Sequence, residues 1–198
     1  MVHMNLTCVV PIEICGADPA RLADLRRTGV DHGGNAVEPF VDRDGGWPLR
    51  CCLTDSLPGD VLAIVAWGPF EWRGPYAETG PIVVHADPCG GVAGDGVPPQ
   101  FLTRRQLVRP YGTDRRIAYD DIVIVEPDGS LPDVLADVLS RDGIEVALVR
   151  NVLAGCYSFT ARRRVPPSWS TSSASGAEDR DDEVHGRCLS ARRAAPLA

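Results

Sequence analysis

The sequence predicts an α+β fold, in which a mostly antiparallel sheet of about six to eight short strands carries two short helices against one face. Three observations predict it. Apolar, β-branched runs of strand length recur along the chain, as at residues 61–67 (VLAIVAW) and 81–86 (PIVVHA). Between them, 20 Gly and 17 Pro supply turns at short intervals. Only two stretches carry an apolar stripe at helical spacing behind a capping residue.

Residues 5–14 are apolar and β-branched and suit an opening strand. Asp18-Pro19 then supplies an N-cap and a first helical residue, and Leu22 and Leu25 mark one face of a helix that stops at Gly29. Gly33-Gly34 and Gly45-Gly46 bracket a short strand at 36–41, and an apolar strand with Arg50 at its start is expected at 48–53. Leu57-Pro58-Gly59-Asp60 is a turn that delivers the chain into 61–67, a continuous apolar run read as a central strand buried on both faces. The next strand, 81–86, is entered through the irregular segment 74–80.

Residues 87–99 are too rich in Gly and Pro for regular structure, so a loop is expected, with a length that suits a binding loop or a plain surface excursion. Residues 107–111, 115–119 and 122–125 read as short strands joined by turns. Ser130 with Asp133 resembles a capping box, and Leu131, Val134, Leu135, Val138 and Leu139 form one helical stripe that ends at Gly143. Two strands at 145–151 and 156–161, joined by a loop of hairpin length, complete the fold. Beyond Arg164 apolar periodicity stops, and Pro166-Pro167, a serine-rich run and a mixed charge cluster follow. The expectation is one globular domain over 1–164 and a disordered tail over 165–198.

Charge and composition exclude several functions. All 20 basic residues are arginine, so a phosphate-binding loop that needs its Lys and any Schiff-base chemistry are ruled out. Residues 1–160 hold 13 Arg against 22 Asp and Glu within a formal net charge of -7, and an acidic body of this kind repels nucleic acid and anionic lipid. Neither nucleic acid nor membrane is an expected partner. Seven cysteines lie at 8, 15, 51, 52, 89, 156 and 188. There is no secretory signal and no apolar run of about 18 residues, so a cytoplasmic location with reduced thiols is expected. The oligomeric state is not encoded legibly.

Four segments together resemble a known family: Pro48-Leu49-Arg50-Cys51-Cys52-Leu53, Pro75-Tyr76-Ala77-Glu78-Thr79-Gly80-Pro81 running on to His85, Arg109-Pro110-Tyr111-Gly112, and Arg150-Asn151 followed by Gly155-Cys156-Tyr157. In this order and spacing the chain, over about residues 2–164, is similar to the bacterial family catalogued as domain of unknown function 1203. The resemblance implies a small single-domain cytosolic protein and carries over no catalytic residue, cofactor or substrate. Members usually stop soon after the last strand, so Cys188 and His185 in the extension are assigned to no site.

The same segments hold the candidate chemistry. Arg50, Arg109 and Arg150, close to Tyr76, Tyr111 and Asn151, are planar donor forks that could converge on a small anionic ligand; the opposing reading pairs each arginine with an internal carboxylate. Cys156, at a hairpin mouth near Arg150, is a candidate thiol nucleophile with His85 as its base, or else a small buried hydrophobe. Glu78 could supply a carboxylate near His85 for acid–base work, or satisfy the backbone of an irregular strand entry. No metal site and no cofactor are expected. Cys51 and Cys52 are adjacent and would point to opposite faces of a strand, although His85, Cys89 and one more cysteine would otherwise make a zinc-type set. The glycines at 90, 91, 94 and 96 precede Pro98-Pro99 rather than a helix, which removes a dinucleotide fingerprint. The alternative to a ligand-binding protein or small enzyme is a non-catalytic accessory protein in which these residues form a buried polar network.

Overall fold

The first helix forms where the capping residues call for it. In the computed structural model, which describes residues 10–164, the Asp18 carboxylate accepts from the Arg21 N–H at 2.8 Å, Pro19 opens α1 (Pro19–Thr28), and Gly29 closes it in the left-handed region at φ 69°. Leu22 and Leu25 face the core. The helix with the apolar stripe is α3 (Leu131–Ser140), where Ser130 Oγ accepts from the Asp133 N–H at 3.4 Å. Its Leu131, Leu135, Val138 and Leu139 are buried, each contributing about 1.5–3 kcal/mol through removal of apolar surface from water. Between them a single turn, α2 (Pro99–Leu102), drops Phe101 into the core.

The fold is α+β, with its strands antiparallel. Five strands run in the order β1 (Ile12–Cys15), β8 (Tyr157–Arg163), β7 (Ile144–Asn151), β5 (Gln106–Gly112) and β6 (Val123–Val125). Three more, β2 (Phe40–Val41), β3 (Val61–Trp67) and β4 (Gly80–His85), form a separate sheet in that order. The expected single sheet is therefore two. The division follows from side-chain alternation along β7: Ala147 and Val149 pack with α3 in one core, whereas Leu148 points the other way and packs with Trp67, Ile82 and Leu22 in a second core, against the small sheet and α1. A five-stranded sheet with apolar side chains on both faces needs a layer on each.

Other differences have local causes. Strand β3 is central in its sheet, yet Ile64 is half exposed, so the run is buried on one face rather than two. Residues 115–119 make no strand; only Ile117 bridges to Tyr111, because the turn at 112–116 places Arg115 at φ 63° and breaks the ladder. The segment 48–53 is not a strand either. Leu49 makes one parallel bridge to Val83, and the chain then turns through Arg50, Cys51 and Cys52 to Leu53, at φ 58°. A leucine there costs about 1–3 kcal/mol, which full burial of its side chain offsets with about 1.5–3 kcal/mol. Gly16 lets this turn approach, since a Cβ there would sit 2.5 Å from the Arg50 carbonyl oxygen that accepts from the Ala17 N–H. Residues 5–9 of the expected opening strand, Cys8, and the whole of 165–198 lie outside the described residues. No helix among the described residues is long and apolar enough to cross a membrane.

Candidate functional site

The predicted site residues fall into two groups at opposite ends of β4. Glu78 stands two residues before the strand and His85 is its last residue. An extended chain rises about 3.3 Å per residue, so seven residues separate the two by roughly 20 Å. The pairing of Glu78 with His85 for acid–base work is therefore a prediction that the structure overturns.

At the first end, Arg109 and Tyr111 on β5 and Arg150 on β7 share one face of the large sheet. Arg150 lies opposite Leu107 in the register, one step along the same face from Arg109. All three converge on one carboxylate. Tyr111 Oη donates to Glu78 Oε1 at 2.5 Å, Arg109 Nη1 reaches Oε2 at 3.2 Å, and Arg150 Nη2 is ion-paired with Oε2. Arg150 also donates to the Gly155 carbonyl. Burial first, and then the hydrogen bond and charge of Glu78, push the Tyr111 phenol well above its usual value. Arg50, fully enclosed in the 48–53 turn, ends on backbone instead: its Nε donates to the Tyr157 carbonyl at 2.6 Å and its Nη1 to Pro48 at 3.0 Å. Asn151 Oδ1 accepts from the Leu153 and Ala154 N–H groups and shapes the β7–β8 hairpin.

The sixth ligand-binding candidate, Tyr76, lines a cleft of about 540 Å³ between the 72–76 loop and the 113–116 turn. Arg73, Arg115 and Arg116 surround it against a single acid, Asp114, which pairs with Arg116 at 3.9 Å. The Arg115 guanidinium stands 6.0 Å from the Trp72 ring centroid. Among the described residues, Arg73 and Arg115 have no acidic partner within ion-pair distance. A smaller cavity of about 210 Å³ lies behind Trp72, but there Arg21 and Arg162 are balanced by Asp18, Glu71 and Glu145.

At the other end of β4, four soft donor atoms meet. The Leu49–Val83 parallel bridge carries Cys51 alongside His85, whose N–H donates to Cys51 Sγ at 3.3 Å. Because 51 and 52 lie in a turn, both thiols face the same side: Cys51 Sγ is 3.9 Å from Cys52 Sγ, and His85 Nδ1 is 3.5 and 3.8 Å from the two sulfurs. Cys89, in the loop after β4, completes a set whose ligand atoms all lie within 4.8 Å of one another. The reason for expecting no metal site, that neighbouring cysteines diverge, does not apply. The other His85 nitrogen, Nε2, faces Asp60 Oδ2 at 3.5 Å, where sequence reasoning had sought Glu78. Cys51 and Cys52 direct their S–H groups at Cys89 and hold that thiol well below the ordinary value, while the contacts with Cys52 and Cys89, and burial, push Cys51 up.

Residues 46–163 match the family model described as a protein of unknown function, DUF1203. The chain belongs to that family. The match takes in all four segments of the resemblance, and with them the Glu78 network, the cleft and the thiol cluster, while β1 and α1 lie outside it. No curated protein and no solved structure matches the chain. In this DUF1203 protein the candidates do not gather into one site. Cys156 stands apart from both groups, half buried, with its Sγ directed at the Ala154 carbonyl at 3.7 Å. His85 is engaged by Cys51, Cys52 and Asp60, so the Cys156–His85 pair is corrected as well. Sequence reasoning missed Asp60, Arg73 and Arg115. Asp60 was recoverable, because it ends the turn entering β3, and the antiparallel return of 81–86 had to bring His85 beside it.

Proposed function

We propose that this DUF1203 protein is a bacterial, cytoplasmic binding protein for a small organic anion, held in the cleft between the 72–76 loop and the 113–116 turn. The observation that carries this reading is an imbalance of charge. Glu78 absorbs Arg109 and Arg150, whereas Arg73 and Arg115 stand without an acidic partner beside Tyr76, in a body that is acidic elsewhere. Two guanidinium forks and a phenol provide parallel N–H donors and an O–H for a carboxylate or phosphate, and Trp72 provides an apolar wall. The volume falls within the roughly 300–1,000 Å³ of small-molecule sites. A reducing compartment agrees with the five free cysteines of the described residues.

In this reading the arginines first considered for the ligand are structural. They fasten the entry of β4 to the large sheet, which is the role the accessory-protein alternative gave them, and the loop they hold carries Tyr76. The test is a calorimetric titration of the full chain with inorganic phosphate, citrate and a sugar phosphate. Saturable binding that weakens with ionic strength is expected for at least one, and Arg73→Ala and Arg115→Ala should each weaken it by about tenfold, the loss of one charge-assisted hydrogen bond. Absence of saturable binding for all three, or affinity untouched by both substitutions, would sink the reading.

A further inference from the structure

We propose that Cys51, Cys52, His85 and Cys89 bind a single Zn²⁺ ion as a closed Cys₃His centre that ties the 48–53 turn, the end of β4 and the loop after it together. The argument begins with the shape of the set. Zn–S bonds of about 2.3 Å and a Zn–N bond of about 2.0–2.1 Å in a tetrahedron imply edges of roughly 3.8 Å between sulfurs and roughly 3.5 Å from sulfur to nitrogen. The observed Cys51–Cys52 separation is 3.9 Å, and His85 Nδ1 lies 3.5 and 3.8 Å from those sulfurs. The fourth corner, Cys89, keeps every pair within 4.8 Å. These are ligand edges before any closure onto an ion.

Packing alone does not account for the arrangement. Structural cysteines behave as small hydrophobes and sit in the core, but of these four only Cys51 is buried; Cys52, His85 and Cys89 are half exposed. They arrive from three separate stretches of chain. Their spacing leaves room for one ion and none for a cluster of several metals with bridging sulfides. Thiolate and imidazole donors select a soft or borderline ion over Mg²⁺ or Ca²⁺.

The surroundings have the features of a ligand shell. With Nδ1 turned to the sulfurs, the His85 Nε2–H points to Asp60 Oδ2 at 3.5 Å, the carboxylate–histidine arrangement that fixes the tautomer of a metal-binding imidazole. Three thiolates and a neutral imidazole around Zn²⁺ leave one negative charge. The His85 backbone N–H on Cys51 Sγ and the Thr54 hydroxyl, 3.0 Å from Cys52 Sγ, are placed to spread it. All four corners are protein atoms, so no position is open to a substrate. The centre is structural, and it restrains the Gly- and Pro-rich stretch that begins at residue 87.

The test uses the full chain, expressed and purified without chelator, and counts zinc by elemental mass spectrometry. One zinc per chain is expected, falling to background in Cys52→Ser and Cys89→Ser and unchanged in Cys156→Ser. Cys51 is buried, so its replacement would probe folding as much as binding, and the two half-exposed cysteines carry the test. As a second readout, Co²⁺ added to reduced, metal-free chain should give the visible bands of a tetrahedral thiolate site. Asp60→Asn should retain the stoichiometry but weaken Zn²⁺ by about 10–100-fold in competition with a chromophoric chelator. A reduced wild-type chain that takes up neither Zn²⁺ nor Co²⁺, or zinc that survives loss of both Cys52 and Cys89, overturns the proposal.

Discussion

The two ends of strand β4 each draw four polar side chains together, and they differ in whether the groups satisfy one another. Around Glu78, two guanidinium forks and a phenol donate to one carboxylate, so donors and acceptor are both present. Around His85, three sulfurs and an imidazole nitrogen converge, all of them electron-pair donors, with no cation among them. Convergence of chemically interesting residues is thus a poor guide to a ligand site. The informative quantity is the imbalance left after internal partners are assigned, and by that measure the arginines first singled out are the least available in the neighbourhood.

Removing metal should produce the largest effect. An ion that binds only the folded state stabilises it by RT ln(1 + [L]/Kd), about 4 kcal/mol at free metal of roughly a thousand times Kd. Stripping zinc with a strong chelator under reducing conditions should lower the urea midpoint accordingly, and restoring Zn²⁺, but not Mg²⁺, should recover it. Identical midpoints for the two forms would erase the contrast between the two ends of the strand.

Next in size is Glu78→Ala. It leaves Arg150, with 10 % of its side chain exposed, and Arg109, at 24 %, as neighbouring uncompensated cations. Removing one partner of a fully buried pair costs about 3–5 kcal/mol; with Glu78 itself a quarter exposed, about 2–3 kcal/mol is expected. The same substitution should convert the closed group into an anion site, so phosphate should raise the urea midpoint of Glu78→Ala by more than it raises wild type. Equal phosphate responses would show that the forks are satisfied by something other than Glu78.

Much of the fold was legible because its signals are local. Asp18-Pro19 and Gly29 bound α1 as read, the run 61–67 is β3 to the residue, and the stripe from Leu131 to Leu139 faces the core. What was not legible depends on contacts distant in sequence. Cys51 and Cys52 read as part of a strand because the segment is apolar, but its hydrogen bonds go to one residue of β4 and to the Ala17 N–H, and Leu53 is carried through a left-handed conformation by the burial of its side chain. The opposite-face argument against a metal site failed with that strand. Separation of the sheets was hidden for a similar reason, since Leu148 and Val149 are both apolar and nothing local states that each faces a different layer. The distance between Glu78 and His85, by contrast, was available from the length of the strand between them.

The smallest effect concerns Tyr111, and it tests whether the Glu78 end is closed. Loss of its hydroxyl in Tyr111→Phe leaves Glu78 with both arginines, so a net cost of only about 0.5–1.5 kcal/mol at neutral pH is expected. The more discriminating readout is alkaline. Burial and the Glu78 carboxylate raise the folded-state phenol above its ordinary value of 10.0. Above about pH 10 the unfolded chain has released this proton while the folded chain still holds it, so the unfolded state binds fewer protons and stability falls as pH rises toward the folded value. The contribution is fully present below pH 10 and is lost above it. Urea midpoints of wild type and Tyr111→Phe should therefore converge as pH is raised from about 9 to about 11, because the substituted chain lacks this term. Parallel midpoints across that range would mean that the phenol titrates freely in the folded protein, and the carboxylate would then have a vacancy that a ligand donor could fill.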